Sequence, residues 1–188
     1  MNIKTITVLK HPTELVWITT RDRLPEIVPF LNDIESVTVQ SREERPDGTV
    51  NLVNVWKASP KLPAAVTSHI RPEMLAWNDY AEWSSRNFQC SWRMEPHFYT
   101  DRIKCCGVTR YEPAMAGRGT RITFLTNIEL SVRDLPGVPT VLEDTVSKAI
   151  EFFVSVLVPQ NFRKIAQAVG SLLDTKPEGP KSVTSKKG

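Results

Sequence analysis

In the strands read between residues 75 and 132 the apolar side chains come at every second position; after residue 140 they come at every third or fourth. Residues 87–96 read NFQCSWRMEP, with Phe88, Cys90, Trp92 and Met94 alternating with Gln89, Ser91, Arg93 and Glu95. A strand turns successive side chains to opposite faces, so this stretch predicts a strand with one greasy and one wet face. The same holds where Ile103, Cys105, Gly107 and Tyr111 alternate with Arg102, Lys104 and Arg110. It holds again where Ile122, Phe124, Ile128, Leu130 and Val132 oppose Thr123, Asn127, Glu129 and Ser131. Trp77 and Trp83 share one phase of a strand over residues 75–83. Then Leu142, Val146, Ala149, Ile150, Phe153 and Leu157 take the helical spacing, which resumes from Phe162 through Ile165, Ala166, Val169, Leu172 and Leu173. This is a helix with one buried face, and Pro159 predicts a kink or break in it. Antiparallel strands with one dry face need a cover. Residues 140–173, about 50 Å long as a helix, are the only element long enough to supply it.

The rest of the chain fits around that pair. Residues 3–10 form a first strand; Pro12 opens a helix at its first position, and Pro25 begins a second, short one capped by Asp22 and limited by Pro29. Residues 34–44 and 49–58 pair as a hairpin through RPDG at 45–48. Residues 64–70 read as a further strand, and 71–74 as a short turn. The expected fold is α+β: about seven antiparallel strands in a curved sheet around a long C-terminal helix, with two short helices after strand 1.

Charge and cysteines narrow the function classes. The chain has 188 residues and a formal charge of +3. Residues 175–188 carry Lys176, Lys181, Lys186, Lys187 and Glu178, so residues 1–174 balance to zero. A neutral body lacks the basic stripe of a nucleic-acid binder. The expected organisation is one domain over 1–174 and a disordered basic tail over 175–188. No apolar run of signal length precedes Lys10, and none elsewhere is long enough to span a membrane, so the expected location is the cytoplasm, without stable membrane insertion. Cys90, Cys105 and Cys106 are an odd count with no paired spacing, which reads as reduced thiols. With His11, His69 and His97 scattered, no metal-ligand spacing is present, and no metal or other cofactor is expected.

The opening ITVLKHPTELVWITTRD, with its P-x-E-L-V-W, resembles the start of the helix-grip (SRPBCC) superfamily of START lipid-transfer domains, pollen-allergen-like carriers and bacterial polyketide cyclase/dehydrase-like proteins, the last branch most of all. GTRITFLTNIEL is similar to that family's last strand. The resemblance spans residues 3–173. It implies a cavity between sheet and helix that holds a hydrophobic small molecule, and a function in binding or carrying a lipid or polycyclic aromatic compound. The enzymatic alternative it allows is a cyclase/dehydrase acting on an aromatic or polyketide substrate. A third reading is an interaction module whose cavity is vestigial.

The inward set is then Trp77, Trp83, Phe88, Cys90, Trp92, Met94, Ile103, Cys105, Tyr111 and Phe124, with Phe153 and Leu157 from the helix. These are the candidate ligand-binding residues. Soft Met and Cys adapt to irregular contents, and Gly107 leaves a hole in a bulky face or marks a bulge. Arg71 and Tyr80 are candidate polar anchors, and Tyr111 could serve too. An enzyme would need an acid or base in the cavity. The titratable candidates are Arg71, Asp79, Tyr80, Glu82, Arg93 and His97, with Glu82 and Arg93 phased to the wet face. No catalytic pair stands out, so no family active residue is carried across. Packed core and ligand pocket differ by a volume: above roughly 300 Å³ a small ligand fits.

Overall fold

The computed structural model describes residues 1–58, 76–97, 103–130 and 143–175; for Leu130 and residues 143–157 it describes the backbone alone. Seven strands form one sheet: β1 (Asn2–Leu9), β2 (Ile34–Glu44), β3 (Thr49–Ala58), β4 (Ala76–Ser84), β5 (Gln89–Pro96), β6 (Ile103–Ala114) and β7 (Gly119–Leu130). Their order across the sheet is β1-β7-β6-β5-β4-β3-β2, and every pairing is antiparallel. A helix α1 (Thr13–Asp22) and a 3-10 segment (Leu24–Phe30) join β1 to β2. A long helix α2 (Glu143–Asp174) ends the described chain. Sheet and helices thus match the α+β arrangement that the change of period demands.

Several local expectations shift. Pro12 stands one place before the helix, at the N-cap, where its carbonyl accepts the Val16 N–H at 3.1 Å. Asp22 caps nothing: it is the last residue of α1, and Arg21 and Arg42 both bond its carboxylate. The second short helix is 3-10 rather than α. Helix α2 runs unbroken through Pro159. The missing N–H costs one bond in a 32-residue ladder, and the buried stripe Ala166, Val169 and Leu172 beyond it holds the helix in place. The expected strand at 64–70, the turn at 71–74 and the basic tail beyond residue 175 lie outside the described residues. The RPDG turn forms as read, with Gly48 at φ +83°, where a Cβ would be strained.

Register explains which side chains face α2. Across the sheet, Asn54 pairs with Asp79, Asp79 with Met94, Met94 with Cys105 and Cys105 with Ile128. The next inward row runs Leu52, Ala81, Trp92, Gly107, Thr126, and the next Val50, Trp83, Cys90, Thr109, Phe124. Gly107 is neither a bulge nor a hole, because its pairing is continuous and the Trp92 indole fills the space. A Cβ there would meet the Leu125 carbonyl oxygen first, and Trp92 Cζ2 at 2.6 Å. Gly107→Ala should therefore cost about 1–3 kcal/mol by overpacking, read as a lower urea midpoint with unchanged slope. A neutral result would mean that both the β7 backbone at Leu125 and the Trp92 ring have room to move.

Candidate functional site

Helix α2 does not lie flat on the sheet along its whole length. Its last turns close on β1, where a Cβ at Gly170 would meet Leu9 Cδ2 at 3.3 Å, and Ala168 and Val169 are buried. About two turns earlier, Phe162 stacks on Phe124 with centroids 4.5 Å apart and leans on Trp92 at 5.4 Å. Beyond that bridge, a cavity of about 370 Å³ opens between helix and sheet.

Its described walls come from eight elements. Strand β4 gives Trp77, Asp79, Ala81 and Trp83; β5 gives Cys90, Trp92 and Met94; β6 and β7 give Cys105, Thr109, Tyr111 and Phe124. Trp56 of β3, Thr20 of α1 and Leu24 add to the walls, and α2 contributes Val158, Asn161, Phe162 and Ile165. Four of the five indoles thus face one space. Trp56 and Trp77 stack with planes 10° apart. The fifth, Trp17, stands behind Trp83 in an edge contact at 5.9 Å. Phe124 and Cys90 are buried, as sequence phase predicts.

A TM-score of 0.64 relates this structure to that of TTHA0849 from Thermus thermophilus, at 18% identity over 92% of this chain and 99% of that one. The Zhui aromatase/cyclase from Streptomyces sp. R1128 follows at 0.61 and 13%, covering 92% of both chains. Truncated norcoclaurine synthase from Thalictrum flavum scores 0.61 at 11%, over 94% of this chain and 95% of that one. This is the helix-grip fold. No protein-family model and no curated protein matches the sequence. The likeness is one of architecture, and the chemistry of the helix-grip cavity has to be read from its own side chains.

Eight of the twelve candidate ligand-binding residues line the cavity: Trp77, Trp83, Cys90, Trp92, Met94, Cys105, Tyr111 and Phe124. Phe88 does not. It sits before β5 at φ +47°, and its ring packs edge-on to Trp17 at 5.6 Å. Ile103, at the start of β6, is not among the described lining residues. Phe153 and Leu157 fall on α2, where only backbone is described, and Arg71 lies outside the described residues. Tyr80 is on the other face of the sheet, where the Arg93 guanidinium covers its ring at 3.7 Å. Glu82 and Arg93 are exposed, as their phase requires. His97 bonds Asn78 Oδ1 at 2.8 Å at an exposed position.

Of the six titratable candidates, the one among the described lining residues is Asp79. It is two residues from Trp77 and four from Trp83, so the strand period that placed those indoles inside placed it there too. Burial pushes its carboxyl up to about 6, while hydrogen bonds from Asn54 and Trp56 hold it down. The Asn54 amide donates to Asp79 Oδ2 at 3.2 Å, and Asn54 is 1% exposed. The intermediate exposure of Asp79 is exposure to the cavity it lines. Among the described lining residues there is no Lys, Arg or His.

The other polar groups are quieter. Trp92 Nε1 donates to Thr109 Oγ1 at 3.0 Å. Thr20 hydrogen-bonds the Tyr111 hydroxyl, but burial dominates and pushes that phenol far up. Burial pushes Cys105 up to about 11 and Cys90 well above the usual thiol range, so both stay protonated and act as apolar wall. Trp83 Nε1 and Asn54 Oδ1 are buried without a partner. No group of three or more potential metal ligands occurs among the described residues. No helix among them is long and apolar enough to cross a membrane.

Proposed function

We propose that the protein binds a hydrophobic small molecule, a lipid or polycyclic aromatic compound, in the cavity between sheet and helix, and serves as its carrier. One observation carries this reading: about 370 Å³ of space walled by four indoles, where a packed core would have left none. Flat aromatic walls suit flat or ring-bearing ligands. Three free thiols support a cytoplasmic setting. A second reading, acid–base catalysis on an aromatic or polyketide ligand in the same space, rests on Asp79, whose raised pKa suits a proton acceptor near neutral pH. The Streptomyces neighbour is an aromatase/cyclase.

The test is binding of prodan, a neutral naphthalene dye whose emission shifts to the blue in apolar surroundings. Wild-type protein should bind it with a clear blue shift. Filling the floor with Ala81→Phe, or the helix side with Val158→Trp, should weaken that binding at least tenfold. Two positions on opposite walls guard against one variant that fails to fold. Full dye affinity in both variants, folded by circular dichroism, would place the dye elsewhere and defeat the reading.

A further inference from the structure

We propose that the cavity selects ligands that carry a protonated amine on an aromatic or otherwise apolar body, with Asp79 as the counter-ion. This rests on the ligand-binding reading above and names the ligand's polar end.

The Asp79 end of the cavity presents a carboxylate with no described cation on the walls around it. Asp79 presents a carboxylate, and its two hydrogen-bond donors, Asn54 and Trp56, are both neutral. Directly across the pair of strands, Asn54 is 99% removed from solvent, yet its Oδ1 has no partner. A buried acceptor left unpaired costs about 1–3 kcal/mol. Here one sits beside a carboxylate that no described Lys, Arg or His of the lining neutralises. An ammonium has three donors and a positive charge, and the Asp79 carboxylate on the cavity wall can accept from it and balance it. The stacked Trp56–Trp77 pair beside it adds aromatic faces that attract a cation. The orphaned donor on the same wall, Trp83 Nε1, is two inward positions along β4 and makes no bond to the carboxylate.

A neutral hydroxyl at the same place would satisfy one acceptor and leave the charge unpaired. A carboxylate would add a second negative charge in a dry space. The expected order at pH 7.5 is therefore amine, alcohol, acid.

Displacement of prodan by 2-(2-naphthyl)ethylamine, 2-(2-naphthyl)ethanol and 2-naphthylacetate measures that order on one ring system. The amine should displace the dye at least tenfold better than the alcohol, and the acid should be weakest. Lowering the pH from 7.5 to 5 should shrink the amine's advantage several-fold as Asp79 takes up a proton. The other titratable groups on the described walls, Cys90, Cys105 and Tyr111, stay neutral over that range. In Asp79→Asn the amine-to-alcohol ratio, taken within the variant so that a general loss of affinity cancels, should fall towards one. An alcohol that matches the amine, or an amine preference that survives Asp79→Asn, overturns the proposal and leaves the ligand-binding reading standing. Failure of prodan to bind the wild type removes that reading, and this inference with it.

Discussion

Asp79→Asn should melt about 4–8 °C higher than the wild type at pH 7.5 and no higher at pH 4. The reason is linkage. Burial raises the carboxyl from 3.8 in the unfolded chain to about 6 in the fold. A carboxyl raised on folding favours the folded state while it is protonated. That contribution is complete below about pH 3.8, drains away as the pH climbs to about 6, and is absent above. Above pH 6 the wild type therefore holds a buried charge at a cost of about 2–3 kcal/mol, since each tenfold change in proton affinity is worth about 1.4 kcal/mol. The amide has nearly the same shape, can accept from Asn54 and Trp56, and carries no charge. A gain of about 2 kcal/mol corresponds to the stated rise in a chain of this size. Melting curves of the two proteins at pH 4, 5, 6 and 7.5 give the difference at each pH, so titrations common to both cancel. A variant less stable than wild type at pH 7.5 would mean that a cation already pairs with Asp79, and the account of the site would fail with it.

Such a stabilising change at a cavity wall has a functional sense. Proteins hold costly groups where binding or chemistry uses them. A buried carboxylate whose described donors are neutral is worse for the fold than an asparagine would be. Its cost is recovered when a cationic ligand arrives.

Much of this was legible in the sequence, because strand phase is a strong signal. The alternations at Cys90–Trp92–Met94 and Ile122–Phe124 put their side chains on the α2 face, and the change to helical spacing placed the helix that covers them. Asp79 shared the phase of Trp77 and Trp83, so its inward position was readable too; the eye passes over it because polar residues are expected outside. Tyr80, one place along, necessarily pointed the other way. What the pattern could not supply was depth. Whether Phe88 lines a cavity or plugs the core turns on a left-handed backbone at the strand's edge, and a periodicity carries no such information. Nor does it say that Trp92 needs Gly107 opposite, since that fit depends on which strands are neighbours. The partners Asn54 and Trp56 come from β3, more than twenty residues before Asp79, and only the register joins them.

Trp17→Ala should remove about 3–5 kcal/mol of stability, against a total of about 5–15 kcal/mol for a domain of ordinary stability. Trp17 is 3% exposed and fixes α1 to the sheet. Its ring meets Trp83 and Phe88 edge-on, and the Arg21 guanidinium lies 4.6 Å from its centroid. Its indole N–H is buried without a partner, so truncation breaks no hydrogen bond there and the loss is packing alone. The effect also reaches the site. Trp83 is a cavity wall, and Trp17 is the side chain behind it. With that support gone, Trp83 can swing back into the space, and the cavity loses one of its four aromatic faces. Trp17→Phe, which keeps a ring in the contact, should recover at least half of the stability. Urea unfolding of both variants, alongside prodan binding well below the transition, reads the two consequences separately. A loss under about 1 kcal/mol in Trp17→Ala would show that α1 is not part of the cooperative core. Full dye affinity in a clearly destabilised variant would show that Trp83 holds its place without Trp17.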